Sequence, residues 1–174
     1  PIRVSTDEAY SVALQADGKL IATGSSRNSS NLDFALARYD NYGRLDASYG
    51  TAGKVTTAIG SGDDIARRVV IRSDGKAIAV GRTKVGTNWN IAIAQYNVDG
   101  TLDTTFGTAG IVTNDFGSTE DDAIDVVLDA NQRIVVVGQK IADGSDIVLA
   151  RYLTSGSLDT SFGTAGLTTF SLGV

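Results

Sequence analysis

The residues with the clearest chemical potential are three carboxylates in near-identical settings. Asp46 lies in "LDASYGTAG" (45–53), Asp103 in "LDTTFGTAG" (102–110) and Asp159 in "LDTSFGTAG" (158–166). Glycines that permit tight turns or close backbone approach follow each one, and Arg38, Gln95 and Arg151 precede it at a near-constant interval. Two carboxyls about 5–10 Å apart could cleave a glycosidic bond, one as acid and the other as base or nucleophile. No other nucleophile has a base to activate it, since the chain has no His, no Cys and no Gly-x-Ser-x-Gly elbow. A catalytic centre is rarely needed three times at equal quality, whereas a structural joint is needed once per repeat. On the joint reading, Tyr49, Phe106 and Phe162 plug an apolar gap between neighbouring units. Each Asp then accepts hydrogen bonds from turn amides or from the adjacent Arg or Gln. That reading outweighs the catalytic one, and the expectation is a protein that is not an enzyme.

A second group of candidates lies where the copies differ. The corresponding loops "SSRNSSNLD" (25–33), "RTKVGTNWN" (82–90) and "QKIADGSD" (139–146) vary while their flanks stay fixed, and loops on a rigid scaffold commonly carry recognition. Trp89 with Asn88, Asn90 and Lys84, and Arg27 with Asn28 in the first loop, would suit a sugar: the ring stacks while amides and cations meet hydroxyls. The competing reading is that Trp89 packs on a neighbouring unit in place of Leu32. Acidic loops at "GSGDD" (60–64) and "GSTEDD" (117–122) could hold Ca²⁺ through oxygen ligands. Neither has the spacing of an EF-hand or of the nonapeptide calcium repeat, so solvated turns are favoured and no cofactor is expected.

The elements that position these residues repeat every 57 residues, or 56 where the third copy drops one in the loop after Gly138. Each copy holds four strand-like runs: 54–59, 111–116 and 167–172 as the first; 9–15, 66–72 and 123–129 as the second; 19–25, 76–82 and 133–139 as the third; and "DFALARY" (33–39), "NIAIAQY" (90–96) and "DIVLARY" (146–152) as the fourth. Asp-Gly at 17–18 and 74–75 predicts type I′ hairpins, while Asn131-Gln132 makes a weaker turn that its surroundings must rescue. The fourth run puts Ala35, Ala37 and Tyr39 on one face and Phe34, Leu36 and Arg38 on the other, as in a sheet packed between two neighbours.

This pattern predicts an all-β, β-propeller-like single domain with units at about 1–53, 54–110 and 111–166. The first unit lacks its first strand, and 167–172 supplies one with no second to follow. Two chains are therefore expected to exchange terminal strands and close a six-bladed ring, within the usual 4–8 blades; the alternatives are a filament or an array of further repeats. With no Met, Pro1 is not a translation start, and the chain is expected to be a mature product, a processed fragment or an excised piece. A net charge of −5 with scattered basic residues argues against nucleic acid. No apolar run approaches the ~20 residues of a membrane span.

"DGKLIATGSS", "DFALARYD" and "LDTSFGTAG" resemble the delta-60 repeats of large secreted or surface-displayed bacterial proteins, over essentially the whole chain. The resemblance implies a β-propeller-like array outside the cell or on its surface, and carries over no catalytic or ligand residue. The expected function is thus a non-catalytic module for surface structure, adhesion or protein–protein contact. A glycan-binding lectin is the first alternative, and a carboxylate-dependent glycoside hydrolase the second.

Overall fold

In the computed structural model, residues 6–141 and 145–171 are described. Every element among them is a strand. The first sheet runs in order β1 (Asp7–Leu14), β2 (Leu20–Arg27), β3 (Leu32–Tyr39) and β4 (Lys54–Thr57), all antiparallel. The pattern recurs in β5 (Asp64–Ile71), β6 (Ala77–Val85), β7 (Asn88–Tyr96) and β8 (Ile111–Asn114). It recurs again in β9 (Glu120–Leu128), β10 (Ile134–Ile141), β11 (Ser145–Tyr152) and β12 (Leu167–Phe170). One parallel bridge, Trp89 to Glu120, ties the second and third groups together at their rim.

These pairings move the unit boundaries. The runs at 54–57, 111–114 and 167–170 close the sheet before them instead of opening the next. The reason lies in "GTAG", which reverses the chain tightly: Thr51 N–H donates to Lys54 O (2.8 Å) and Gly53 N–H to Tyr49 O (2.9 Å). Arg38 N–H then takes Gly53 O at 2.9 Å, so the returning strand lies against the one it left. Each sheet holds four strands from its own chain, and the expected terminal-strand exchange has no missing strand to supply. Leu172, in the expected closing strand, lies outside the described residues, as do 142–144 of the third variable loop.

The Asp-Gly hairpins also differ from expectation. Only the glycine of each takes a positive φ, +85° at Gly18 and +83° at Gly75. Gly18 N–H closes a turn on Gln15 O (3.0 Å) and Gln15 N–H reaches Lys19 O (2.8 Å), which is a three-residue loop with a left-handed last position. In the third copy Gln132 takes that position with φ +60°. The Gln132 side chain is held by Ser73 N–H of the second sheet (3.0 Å), and Asp129 accepts from Asn131 and Arg133 amides at 2.8 and 3.0 Å.

The core lies between sheets. Phe34, Leu36, Ile21 and Tyr49 of the first sheet meet a small-residue face of Ala77, Ala79, Ala92 and Ala94 on the second. Ile78, Val80, Ile91 and Ile93 on the opposite face of that second sheet pack on Val136, Val148 and Ala150 of the third. Each sheet thus shows bulky residues to the next and smaller ones to the previous.

Candidate functional site

The structure brings the repeated carboxylates onto the residues upstream of them. Arg38 Nε donates to Asp46 Oδ2 at 3.0 Å, Gln95 Nε2 to Asp103 Oδ2 at 2.7 Å, and Arg151 Nε to Asp159 Oδ2 at 2.8 Å. The backbone dictates this: each Asp N–H bonds the carbonyl of its own partner, Arg38, Gln95 or Arg151, at 2.8–2.9 Å, pinning the excursion back on its strand. A cation from the neighbouring hairpin is a second partner of the same oxygen: Lys19 at 2.8 Å, Lys76 at 2.7 Å and Arg133 at 3.3 Å. The other oxygen takes a hydroxyl two residues on, Ser48, Thr105 or Ser161, each at 2.6 Å.

This environment sets the chemistry. Lys19 and then Ser48 hold the Asp46 carboxyl well below the usual range; Lys76 and then Thr105 do so for Asp103, and Ser161 leads for Asp159. A glycosidase acid needs its carboxyl shifted the other way. Asp64 is pushed up by burial, but it is fully buried and engaged by the amides of Ile59 (2.7 Å) and Gly60 (3.2 Å).

The aromatic residue after each Asp forms the contact between sheets. Tyr49 is 0% and Phe106 1% exposed, while Phe162 is half-buried. Gly50 N–H donates to Asp99 O of the next sheet's turn (2.7 Å), and Gly107 N–H to Ser155 O (2.8 Å). Gly100 seats there so closely that a Cβ on it would lie 2.9 Å from Gly50 N and 3.1 Å from Tyr49 Cδ2. The Arg38 guanidinium lies 4.6 Å from the Tyr49 ring centre and donates through Nη1 to Val98 O at 2.5 Å, a further tie to the second sheet.

Gln95 lacks the reach for that last bond, and Arg72 makes it instead. Arg72 Nη1 donates to Gln95 Oε1 at 3.1 Å and to Thr154 O at 3.4 Å, the third-sheet counterpart of Val98. The first sheet has the reciprocal pair, Gln15 where the second has Arg72 and Arg38 where it has Gln95. Gln95→Arg should therefore crowd two guanidinium groups and destabilise by about 1–2 kcal/mol, with Arg72→Gln added to it recovering most of the loss. A double-mutant cycle on urea unfolding measures this, and simple additivity would contradict the exchange.

The variable-loop residues are less gathered. Trp89 is half-buried beside the bridge to Glu120, its backbone N–H on Thr119 O at 3.0 Å. The Arg82 guanidinium covers its ring at 4.0 Å and Lys84 Nζ lies 5.6 Å from the ring centre. Asn88 accepts from Thr87 Oγ1 (3.2 Å), and Asn90 Oδ1 is buried without a hydrogen-bond partner among the described residues. Asn28 organises its own loop, donating to Asp33 (2.9 Å) and accepting from the amides of Ser30 and Asn31 (2.7 and 2.9 Å), with exposed Arg27 beside it. A shallow polar groove lined by Asn31, Asp63 and Lys84 runs between the first two loops, and Trp89 does not line it.

The acidic loops are spent on their own backbone and on arginine. Asp63 accepts from Leu32 N–H (2.9 Å), Asp121 from Phe116 N–H (2.7 Å) and Ser118 (2.5 Å), and Asp122 from Arg67 (2.8 Å). No group of three or more acidic side chains placed to hold a metal occurs among the described residues. The hairpin cations and the hydroxyls of the joint went unnamed in the sequence, although the last residue of "ADGK", "SDGK" and "ANQR" is always a cation and the last of "LDAS", "LDTT" and "LDTS" always carries a hydroxyl.

Stacked antiparallel sheets, each with one carboxylate network of its own and the first two seated on the next through a glycine and an aromatic ring, define a repeat protein of propeller type. The chain belongs to the family described as "Domain of unknown function (DUF5122) beta-propeller", which matches three times, over 15–49, 72–106 and 130–162. No curated protein matches it. Among solved structures, one of a protein of unknown function from Bacteroides caccae is similar, with a TM-score of 0.40 and 12% identity. The similarity covers 85% of this chain and 54% of that one, so the chain spans about half that protein's length.

Proposed function

We propose that the chain is a non-catalytic module of delta-60 type, three four-stranded blades that present variable rim loops for surface structure, adhesion or protein–protein contact outside the cell. One observation carries this reading: the acidic and basic side chains that recur in all three joints are consumed in pairing with one another inside each blade. The copies also differ in loops, at 28–31 and 86–87 in the first two blades, that lie beyond the last paired residues Arg27–Leu32 and Val85–Asn88. The extracellular or cell-surface location rests on the delta-60 resemblance. No cofactor has a part in it, because the acidic loops already have amide and arginine partners.

The test is a panel of chromogenic glycosides, run with the native chain and the triple variant Asp46→Asn, Asp103→Asn, Asp159→Asn, beside a glycan array with Trp89 fluorescence. The module reading expects no turnover in either chain and no saturable change in emission, since Arg82 already covers the indole. Turnover lost in the triple variant would replace it with the hydrolase, and saturable quenching by a sugar would replace it with the lectin.

A further inference from the structure

The two ends of the stack are unfinished in complementary ways. At the internal joints a glycine N–H donates to the next sheet's turn: Gly50 to Asp99 O and Gly107 to Ser155 O. At the third joint Gly163 N–H and Arg151 Nη1 have no hydrogen-bond acceptor among the described residues, although Arg151 Nε and Nη2 hold Asp159 and Ser161 as before. At the other end the first sheet's turn is the counterpart of the two seated ones. A Cβ on Gly43 would meet nothing within 4 Å, whereas on Gly156 it would lie 3.0 Å from both Gly107 N and Phe106 Cε2. Tyr42 beside it is 83% exposed.

The faces behind these turns match in the same way. Ala92, Ala94 and Tyr96 are fully buried under the first sheet's bulky side chains. Their first-sheet counterparts Ala35, Ala37 and Tyr39 are only half-buried and line an open groove of about 330 Å³. Conversely Ile91 and Ile93 are 0% exposed, while their third-sheet counterparts Ile147 and Leu149 are half-buried.

We propose that a second copy of this chain completes both ends. The first sheet of each copy seats on the third sheet of the other, with Tyr42 O accepting from Gly163 N–H and Asn41 O from Arg151 Nη1. The occupant is a copy of the chain because the vacancy has the shape of its own repeat: a backbone carbonyl, a glycine without a side chain and an alanine face. Turn and seat lie on the same chain, so two copies satisfy both at once and form a closed ring of six sheets, within the usual 4–8. No strand changes partner.

The experiment is sedimentation equilibrium, whose readout is mass and is independent of whether the rim loops bind anything. The native chain should sediment at twice its 18.1 kDa mass. Gly43→Asn, which keeps a left-handed turn but fills the seat, should weaken the pair by about tenfold or more, as overfilling a close-packed contact does. Ala37→Leu, which fills the open groove, should act likewise. Gly86→Asn, at an equally open glycine with φ +61° in another hairpin, should leave the mass unchanged. Circular dichroism establishes that each variant is folded. A native chain of single mass, a series of masses growing without limit, or seat variants that pair as tightly as the native chain would each overturn the proposal.

Discussion

Phe106→Ala is expected to cost about 3–5 kcal/mol of unfolding free energy, the range for deleting a buried aromatic ring. Phe106 is 1% exposed and belongs to the cluster shared by the second and third sheets. Its Cε2 lies 3.0 Å from the position a Cβ on Gly156 would take, so the surrounding backbone is already in contact and has little freedom to collapse into the void. Phe162 offers the internal comparison, with the same motif in the third sheet and the Arg151 guanidinium 4.7 Å from its ring centre. There the ring is half-buried, and Phe162→Ala measured in the Gly43→Asn background should cost less than half as much. Urea unfolding of the two variants measures the difference. Equal losses would mean that the aromatic ring serves its own sheet and not the contact with the next.

That comparison separates two contributions that the repeat makes together. The aromatic ring and the faces behind it supply the apolar burial, while the carboxylate network fixes where the ring sits. Asp46, Asp103 and Asp159 have side chains only 12%, 6% and 8% exposed, and each is met by a hydroxyl and by a cation from another hairpin. Charge taken so far out of water gains little net stability even when well paired, but it penalises any other arrangement heavily. The exchange of Gln15–Arg38 for Arg72–Gln95 fits that role, since either order places one guanidinium at the contact with the next sheet.

Much of this was legible because the chain repeats. The period, the four strands per copy and the pairing of Arg38, Gln95 and Arg151 with the following Asp all follow from aligning three segments of one sequence. The partner of "KVTT" did not, because a four-residue strand of alternating character fits either neighbouring sheet. The choice is made by the backbone of "GTAG", where Ala52, Ala109 and Ala165 adopt φ of 51°, 54° and 53°, a conformation alanine rarely takes and composition does not announce. The surroundings of Trp89 were hidden for a different reason. A lone tryptophan beside asparagines suits a sugar, but the cross-strand geometry that lays Arg82 over its ring appears only once β6 and β7 are paired.

A single added methyl group is expected to be severely damaging at Gly81. A Cβ there would lie 1.9 Å from Ile65 O, 2.9 Å from Ala66 Cα and 3.0 Å from Arg67 N. The contact arises because β5 bulges between Ala66 and Arg68, pushing its backbone toward β6. The sheet cannot spread to relieve it, since β6 is hydrogen-bonded to β5 on one side and to β7 along its whole length on the other. Gly24 and Gly138 face the same bulge in their own sheets, with a Cβ 1.8 Å from Glu8 O and 2.2 Å from Asp122 O, so the glycine is a condition of the bulge and not of one location. Gly81→Ala should therefore lose more than about 3 kcal/mol, which places it among the rare severe substitutions. Gly86→Ala, in open space at φ +61°, should lose only the roughly 1–2 kcal/mol of a left-handed alanine. Thermal melts followed by circular dichroism compare the two. A Gly81→Ala chain melting as high as Gly86→Ala would show that the strands can part at the bulge, and the steric account of this glycine would fail.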